Sequence, residues 1–228
     1  MQKLQVQDRS LNRPRPDTLE SISLLGLPAP NYREVWELQK LRVDEIAAGK
    51  SAECLIFCEH EIIATKGRRA KDENLLDTSI PTIDVERGGD ISLHQPGQLV
   101  IYPLLKLHGL VFKGGLGEYL RFCEEVIIKF LASKGFEAGR FGPTGVWIRT
   151  KQNEIRKIAS IGIAVRKWVT FHGIALNINN DLSVFNKIRP CDFDASVMTS
   201  MSREGVECSL SAAATEIEKI FQSKLGRG

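Results

Sequence analysis

KIASIGIAVRKWVTFHGIALNIN, Lys157 to Asn179, is the stretch whose reading decides the fold. Its two arms, KIASIGIAVR and WVTFHGIALNIN, are rich in β-branched and aromatic residues and read as a β-hairpin. Upstream, TGVWIR is a third strand, set off by the polar turn TKQNE, so the three form a meander. Downstream, NDLSVFNKIRPC loops back and delivers Cys191, 34 residues after Lys157.

Working toward the N-terminus, ISLH and QLVIYPLL are further strands, and RGGD before them breaks the pattern as a turn. PTIDV, EIIATKG and ECLIFCE are also strands, and RRAKDENLLDTS is a polar, basic loop. Three helices are expected. Residues 31–48 place Val35, Trp36, Leu38, Leu41, Ile46 and Ala47 near one face and stop at Gly49. Residues 116–134 carry a stripe of Leu116, Tyr119, Leu120, Cys123, Ile127, Phe130 and Leu131, with Gly135 as C-terminal cap. SLSAAATEIEKIFQSKL (209–225) closes the chain. Helices mixed with hairpins define an α+β class: one domain over residues 29–228, a mixed, mostly antiparallel sheet and flanking helices. Residues 1–28 read as an extended polar tail. Asp8 and Asp17 weaken a transit-peptide reading of Arg9, Arg13 and Arg15, so a cytoplasmic location is expected.

A chain of 228 residues with 43% hydrophobic and 26% charged residues has enough apolar content for one full core. No apolar run approaches the ~18 residues of a membrane span. The odd number of cysteines, five, argues for free thiols rather than a disulfide framework. Cys54 and Cys58 would share a strand face. Packed core thiols suit them better than a metal pair, because no second Cys/His pair has zinc spacing. The net charge of +3 does not imply nucleic acid. Residues 140–167 are nonetheless strongly basic, with seven Lys/Arg against Glu154 alone, a net +6. They form either a solvated face or a collar that steers an acidic partner.

The chemistry-bearing residues are few. Cys191 stands in a polar, proline-containing loop, away from any long apolar periodic run, where a thiol is open to reaction. A nearby ammonium favours its thiolate, and Lys157 at a strand end is the candidate. Taken singly, each residue also has an ordinary reading, the cysteine as inert core and the lysine as solvated. His94 and His172 sit beside glycine or proline, where backbone can approach a ligand, or else are satisfied strand-end histidines. Arg87-Gly88-Gly89 can cradle an anion through backbone N–H groups, although glycine turns are common. No P-loop or GxGxxG fingerprint is present. Gly114-Gly115-Leu116-Gly117 lacks the P-loop lysine and hydroxyl and reads as a helix entry.

The ordered set RGGDISLHQPGQLVIYPLL, GVWI, KIASIGIAVRKWVTFHGIALNIN, DLSVF and RPC resembles the lipoyl(octanoyl) transferase, or LipB, family, over most of residues 30–205. The resemblance implies the biotin/lipoate ligase-like fold and no cofactor. It implies transfer of octanoate from octanoyl-acyl carrier protein to a lysine of lipoyl domains, those of 2-oxoacid dehydrogenase complexes and of glycine cleavage H protein. It places the acyl-thioester nucleophile at Cys191 and its activating lysine at Lys157. It also implies three substrate-binding stretches. The first is Arg87, Gly88, Gly89, Asp90, Ile91, Ser92, Leu93 and His94. The second is Ser160, Ile161 and Gly162, and the third is Gly173, Ile174 and Ala175. Two positions depart from the family pattern: Gln95 stands where glycine is usual after the histidine, and Asp192 where glycine is usual after the nucleophile. A carboxylate turned toward a thiolate would raise its pKa. A monomer is expected, with neither membrane nor nucleic acid as partner. An ATP-dependent lipoate or biotin ligase and a non-catalytic carrier-binding protein are the rival readings.

Overall fold

The computed structural model describes residues 18–26, 28–107, 112 and 115–227, and for Cys191 the backbone alone. Most of the stretch expected as a polar tail, including Arg9, Arg13 and Arg15, lies outside the described residues, as does Gly114. Leu19–Ser23 of that stretch is an edge strand, β1, running parallel to β2 (Glu53–Cys58). The seven-stranded sheet has the order β1-β2-β6-β10-β9-β8-β7, where β6 is Gln98–Leu104, β7 Glu137–Gly139, β8 Val146–Arg149, β9 Ile155–Arg166 and β10 Val169–Asn177. All pairs after β1–β2 are antiparallel, and β8-β9-β10 is the expected meander. A separate three-stranded sheet, β4-β3-β5, joins Thr82–Asp84, Ile63–Lys66 and Ile91–His94.

The helices sit on both faces of the large sheet. α1 (Tyr32–Ala47) starts where the Asn31 side chain accepts the Arg33 N–H, and α3 (Leu210–Lys224) where the Ser209 hydroxyl accepts the Ala212 N–H. α2 (Leu116–Ser133) opens at Gly115, whose φ of 69° suits glycine. Strands β2 and β6 show no polar alternation because both of their faces are covered. Cys54, Ile56, Cys58, Val100, Tyr102 and Leu104 pack with Val35, Val43 and Ile46 of α1. Leu55, Phe57, Leu99 and Ile101 pack with the α2 and α3 residues Phe130, Ile217 and Phe221. Cys54 and Cys58 are thus core thiols, and burial pushes the Cys54 thiol up to about 11. No described helix is long and apolar enough to cross a membrane.

The β9–β10 turn is made by Lys167 and Trp168, with φ of 51° and 63°. Two positive-φ residues in a two-residue loop define the type I′ geometry that matches strand twist, here without the usual Asn-Gly. Gly173, expected at the ligand, answers first to packing. A Cβ there would lie 2.2 Å from the Ile101 carbonyl oxygen of β6 and 2.8 Å from Pro103. Gly173→Ala should therefore lower stability by about 3 kcal/mol or more, read as a fall in the urea midpoint at unchanged m-value.

Candidate active site

A pocket of about 420 Å³ opens between the two sheets. Its walls are the Arg87–Ser92 segment with His94, the β9 residues Lys157 and Ser160–Ile163, and His172–Ala175 of β10. Of the three expected substrate-binding stretches only Leu93 is absent from the pocket wall. Successive strand side chains alternate faces, so Leu93 and Ile91 are both buried in the small cluster with Ala64, Ile80 and Phe185, while Ser92 and His94 take the other face.

The glycines of the pocket let backbone and side chains approach closely. Arg87 is 6% exposed and lies over Gly162, where a Cβ would be 3.0 Å from the Arg87 Cδ. Its Nη2 donates to the Thr65 carbonyl oxygen (2.6 Å) and hydroxyl (2.8 Å). The Gly88 N–H, expected in an anion cradle, donates to the Ile163 carbonyl at 2.9 Å and so docks the loop on β9. Gly89 has φ 89°. Asp90 lines the pocket, but its Oδ1 accepts the N–H groups of Lys71 (3.0 Å) and Ile91 (2.8 Å), and its Oδ2 accepts from the Asn74 amide. Its carboxylate holds the loop.

Cys191 is the middle residue of a 3₁₀ turn, Pro190–Asp192, whose flanking residues both line the pocket. The turn is lashed to the loop expected to be merely polar and basic. The Arg189 N–H donates to the Asn74 carbonyl (2.8 Å), and the Asp192 carboxylate accepts from Lys71 Nζ (2.7 Å) and Asn74 Nδ2 (2.8 Å). These bonds, Lys71 first and Asn74 second, hold the Asp192 carboxyl below its usual range. Asp192 has φ 65°, the left-handed region that glycine prefers and aspartate tolerates. Lys157 is 3% exposed, with its ammonium 5.6 Å from the Trp147 ring centroid.

The inner wall is aromatic and imidazole. Tyr32, which the sequence reading passed over, joins His94, Tyr102 and His172 there, with His60 behind. Tyr32 Oη lies 3.3 Å from His172 Nδ1, and Tyr102 Oη 2.8 Å from His60 Nε2. His94 Nδ1 pairs with Gln98 Oε1 at 3.0 Å. His172 holds φ 55° inside a strand, with its N–H donating to Gln39 Oε1 (2.8 Å). Burial depresses all three imidazoles and pushes His60 down to about 4.

The basic segment 140–167 does not form a free collar. Arg140 pairs with Glu124 and Glu125, Arg149 with Glu137, Arg156 with Glu154, and Arg166 and Lys167 with Asp44. Of that segment's basic residues Lys157 lines the pocket, and the further positive groups of the wall are Arg87 and, from the loop after β3, Lys71 and the exposed Arg69.

The family model for the lipoyl protein ligase A/B catalytic domain matches residues 31–222. An octanoyltransferase of Syntrophotalea carbinolica is 46% identical over 196 residues, 85% of this chain and 90% of that protein. One of Geobacter sulfurreducens is 43% identical, across 80% of this chain and 75% of its own. The fold is that of a lipoate protein ligase from Thermoplasma acidophilum (TM-score 0.65, 18% identity, 92% of this chain and 83% of that one). It is also that of an ATP-bound lipoate-protein ligase A (TM-score 0.66, 17% identity, 92% and 85%). The chain belongs to the lipoyl protein ligase A/B catalytic-domain family. Among its members it is an acyltransferase, akin to the octanoyltransferases that act in protein lipoylation.

The buried histidines make stability pH-dependent. A neutral buried imidazole with a depressed folded pKa contributes stability that is full above the unfolded value near 6.5 and is lost as pH falls toward the folded value. For His60, with a folded value of about 4, the loss approaches about 3 kcal/mol. Urea unfolding at pH 7 and pH 4.5 should show this decline, and His60→Gln should flatten it.

Proposed function

We propose that the protein transfers an octanoyl group from octanoyl-acyl carrier protein to the target lysine of lipoyl domains through a thioester on Cys191. The observation that carries this reading is the convergence of Lys157, the Pro190–Asp192 turn and an apolar strip from β9 and β10 on one pocket. The Cys191 thiolate attacks the carrier thioester, a new C–S bond forms, and the carrier thiolate leaves. The acceptor amine then attacks the acyl-enzyme, the Cys191 thiolate departs, and Lys157 relays the amine proton. Thioester exchange is nearly balanced and thioester to amide runs downhill, so the sequence needs no ATP. Burying about seven acyl carbons at roughly 0.8 kcal/mol each offers on the order of 5 kcal/mol. A homologue one methylene longer or shorter would differ by only ~1–3 kcal/mol. The Asp192 departure fits this chemistry, since its carboxylate is engaged by Lys71 and Asn74. Arg68 and Arg69 offer positive charge to an acidic carrier.

Intact mass after incubation with octanoyl-acyl carrier protein and no ATP should show an octanoyl adduct on the wild type and none on Cys191→Ala. A lipoyl domain should discharge it. Failure of the wild type to form the adduct while still binding the carrier would promote the carrier-binding reading, and a strict need for ATP would promote the ligase. In the same assay Arg69→Glu should raise KM for the carrier severalfold, with weaker salt dependence.

A further inference from the structure

The GVWI segment, one of the fragments that carried the family resemblance, has no role in the reaction as proposed. It surrounds Lys157. Trp147 pairs with Lys157 across β8–β9 and presents its ring to the ammonium at 5.6 Å. Gly145, with φ 130°, lies against the stem: a Cβ there would be 2.8 Å from Lys157 Cε, 3.4 Å from Nζ and 2.5 Å from the Ala159 carbonyl oxygen. The loop before Gly145 contributes Pro143 and Thr144 to the pocket wall, and the Pro143 carbonyl accepts the Trp147 indole N–H at 2.8 Å.

This loop has a buried anchor. Glu124 of α2 has a side chain 1% exposed, and its Oε1 accepts the Gly145 N–H at 3.2 Å. Its Oε2 accepts from Arg121 (2.6 Å) and Arg140 (2.7 Å), and Arg140 reaches on to the Arg121 carbonyl. A carboxylate this deep is costly unless paired, and the two arginines supply the pairing. Arg140 of the basic segment and Arg121 of α2 therefore serve a bond to the backbone beside Lys157.

We propose that Gly145, Trp147 and Glu124 are positioning residues that set where the Lys157 ammonium stands, and through it how readily Cys191 ionises. The inference rests on the transferase reading, in which Lys157 activates Cys191. Gly145 admits the lysine stem, Trp147 faces the ammonium, and Glu124 holds Gly145 in place from α2. The other charged groups of the pocket wall are Arg69, Lys71, Arg87, Asp90 and Asp192, of which both aspartates are tied to Asn74. His94 and His172 face the same pocket and are held neutral by burial.

The test is the pH dependence of Cys191 alkylation by iodoacetamide, read on the Cys191 peptide so that the other thiols do not contribute. It is run on wild type, Lys157→Ala, Gly145→Ala and Glu124→Gln, with melting curves for each. In the wild type the midpoint should fall below the ordinary thiol value near 8.5, and Lys157→Ala should restore it. Gly145→Ala should raise it by about one unit, and should lower kcat roughly tenfold or more at unchanged KM for the lipoyl domain. Glu124→Gln keeps an acceptor for Gly145 and should shift the midpoint the same way by less. It carries the test if Gly145→Ala fails to fold. A shift in Lys157→Ala with wild-type midpoints in both of the others would overturn the positioning role and leave the transferase reading standing. Wild-type midpoints in all three variants would overturn both.

Discussion

Arg87 lying across Gly162 is the contact on which the pocket depends. The small sheet carries Arg87 at its edge, and the large sheet carries Gly162 on β9. With hydrogen in place of a side chain at 162, the guanidinium stem reaches the strand and the Gly88 N–H reaches the Ile163 carbonyl. Thr65 anchors the guanidinium from the other side through both its carbonyl and its hydroxyl. Two sheets that share no ladder are thereby fixed at a separation that leaves a cavity. A methyl group at 162 would press on Arg87 Cδ and on the Gly88 carbonyl oxygen at 3.1 Å, so the same atoms that join the sheets also limit the pocket's width.

Charge in this molecule is mostly neutralised locally, and that shapes what remains at the site. Asn74, 1% exposed, offers one amide to two carboxylates, Asp90 of one pocket loop and Asp192 of the 3₁₀ turn, while its backbone carbonyl holds Arg189. It thereby keeps two acidic residues beside the pocket without leaving either unpaired. Burial holds the histidines of the inner wall neutral. Lys157 shares the wall with Arg69, Lys71 and Arg87, while both carboxylates there are held by hydrogen bonds, so the pocket is positive in character.

The fold was legible where periodicity and local chemistry agreed. All three helices, the meander and strands β2 to β6 were legible from apolar pattern and turn residues, but the buried face of α1 is Tyr32, Val35, Gln39, Val43 and Ile46, and Leu41 and Ala47 of the expected stripe face outward. β1 was missed because LESIS is short and lies in a polar stretch; its pairing with β2 is a tertiary contact that no local pattern announces. β7 is three residues long, and its Glu-Ala-Gly composition lacks β-formers. In the site, the glycine-bearing segments could be recognised, but not what their glycines do, since close approach is set by the strand opposite. Tyr32 and Asn74 gave no signal: one is a helix residue and the other ends a 3₁₀ turn, and only the assembled fold brings Tyr32 to the pocket and Asn74 to the two aspartates of its wall. The +6 of residues 140–167 left a solvated face and a collar equally open, because acids that pair with it, Glu124, Glu125, Glu137 and Asp44, lie outside that segment.

Asp192 shows why a departure from a family pattern has to be read through the backbone. The resemblance expects glycine after Cys191, and the turn here holds φ 65° at that position, a left-handed conformation that glycine adopts freely, with an aspartate in place. Such a residue bears a modest conformational cost, because an aspartate reaches the left-handed region more easily than most side chains. The carboxylate then offsets that cost with two hydrogen bonds to the loop that also steadies Asp90. Those bonds direct its charge toward Lys71, so the residue that departs from the family pattern becomes a second fastening of the Pro190–Asp192 turn.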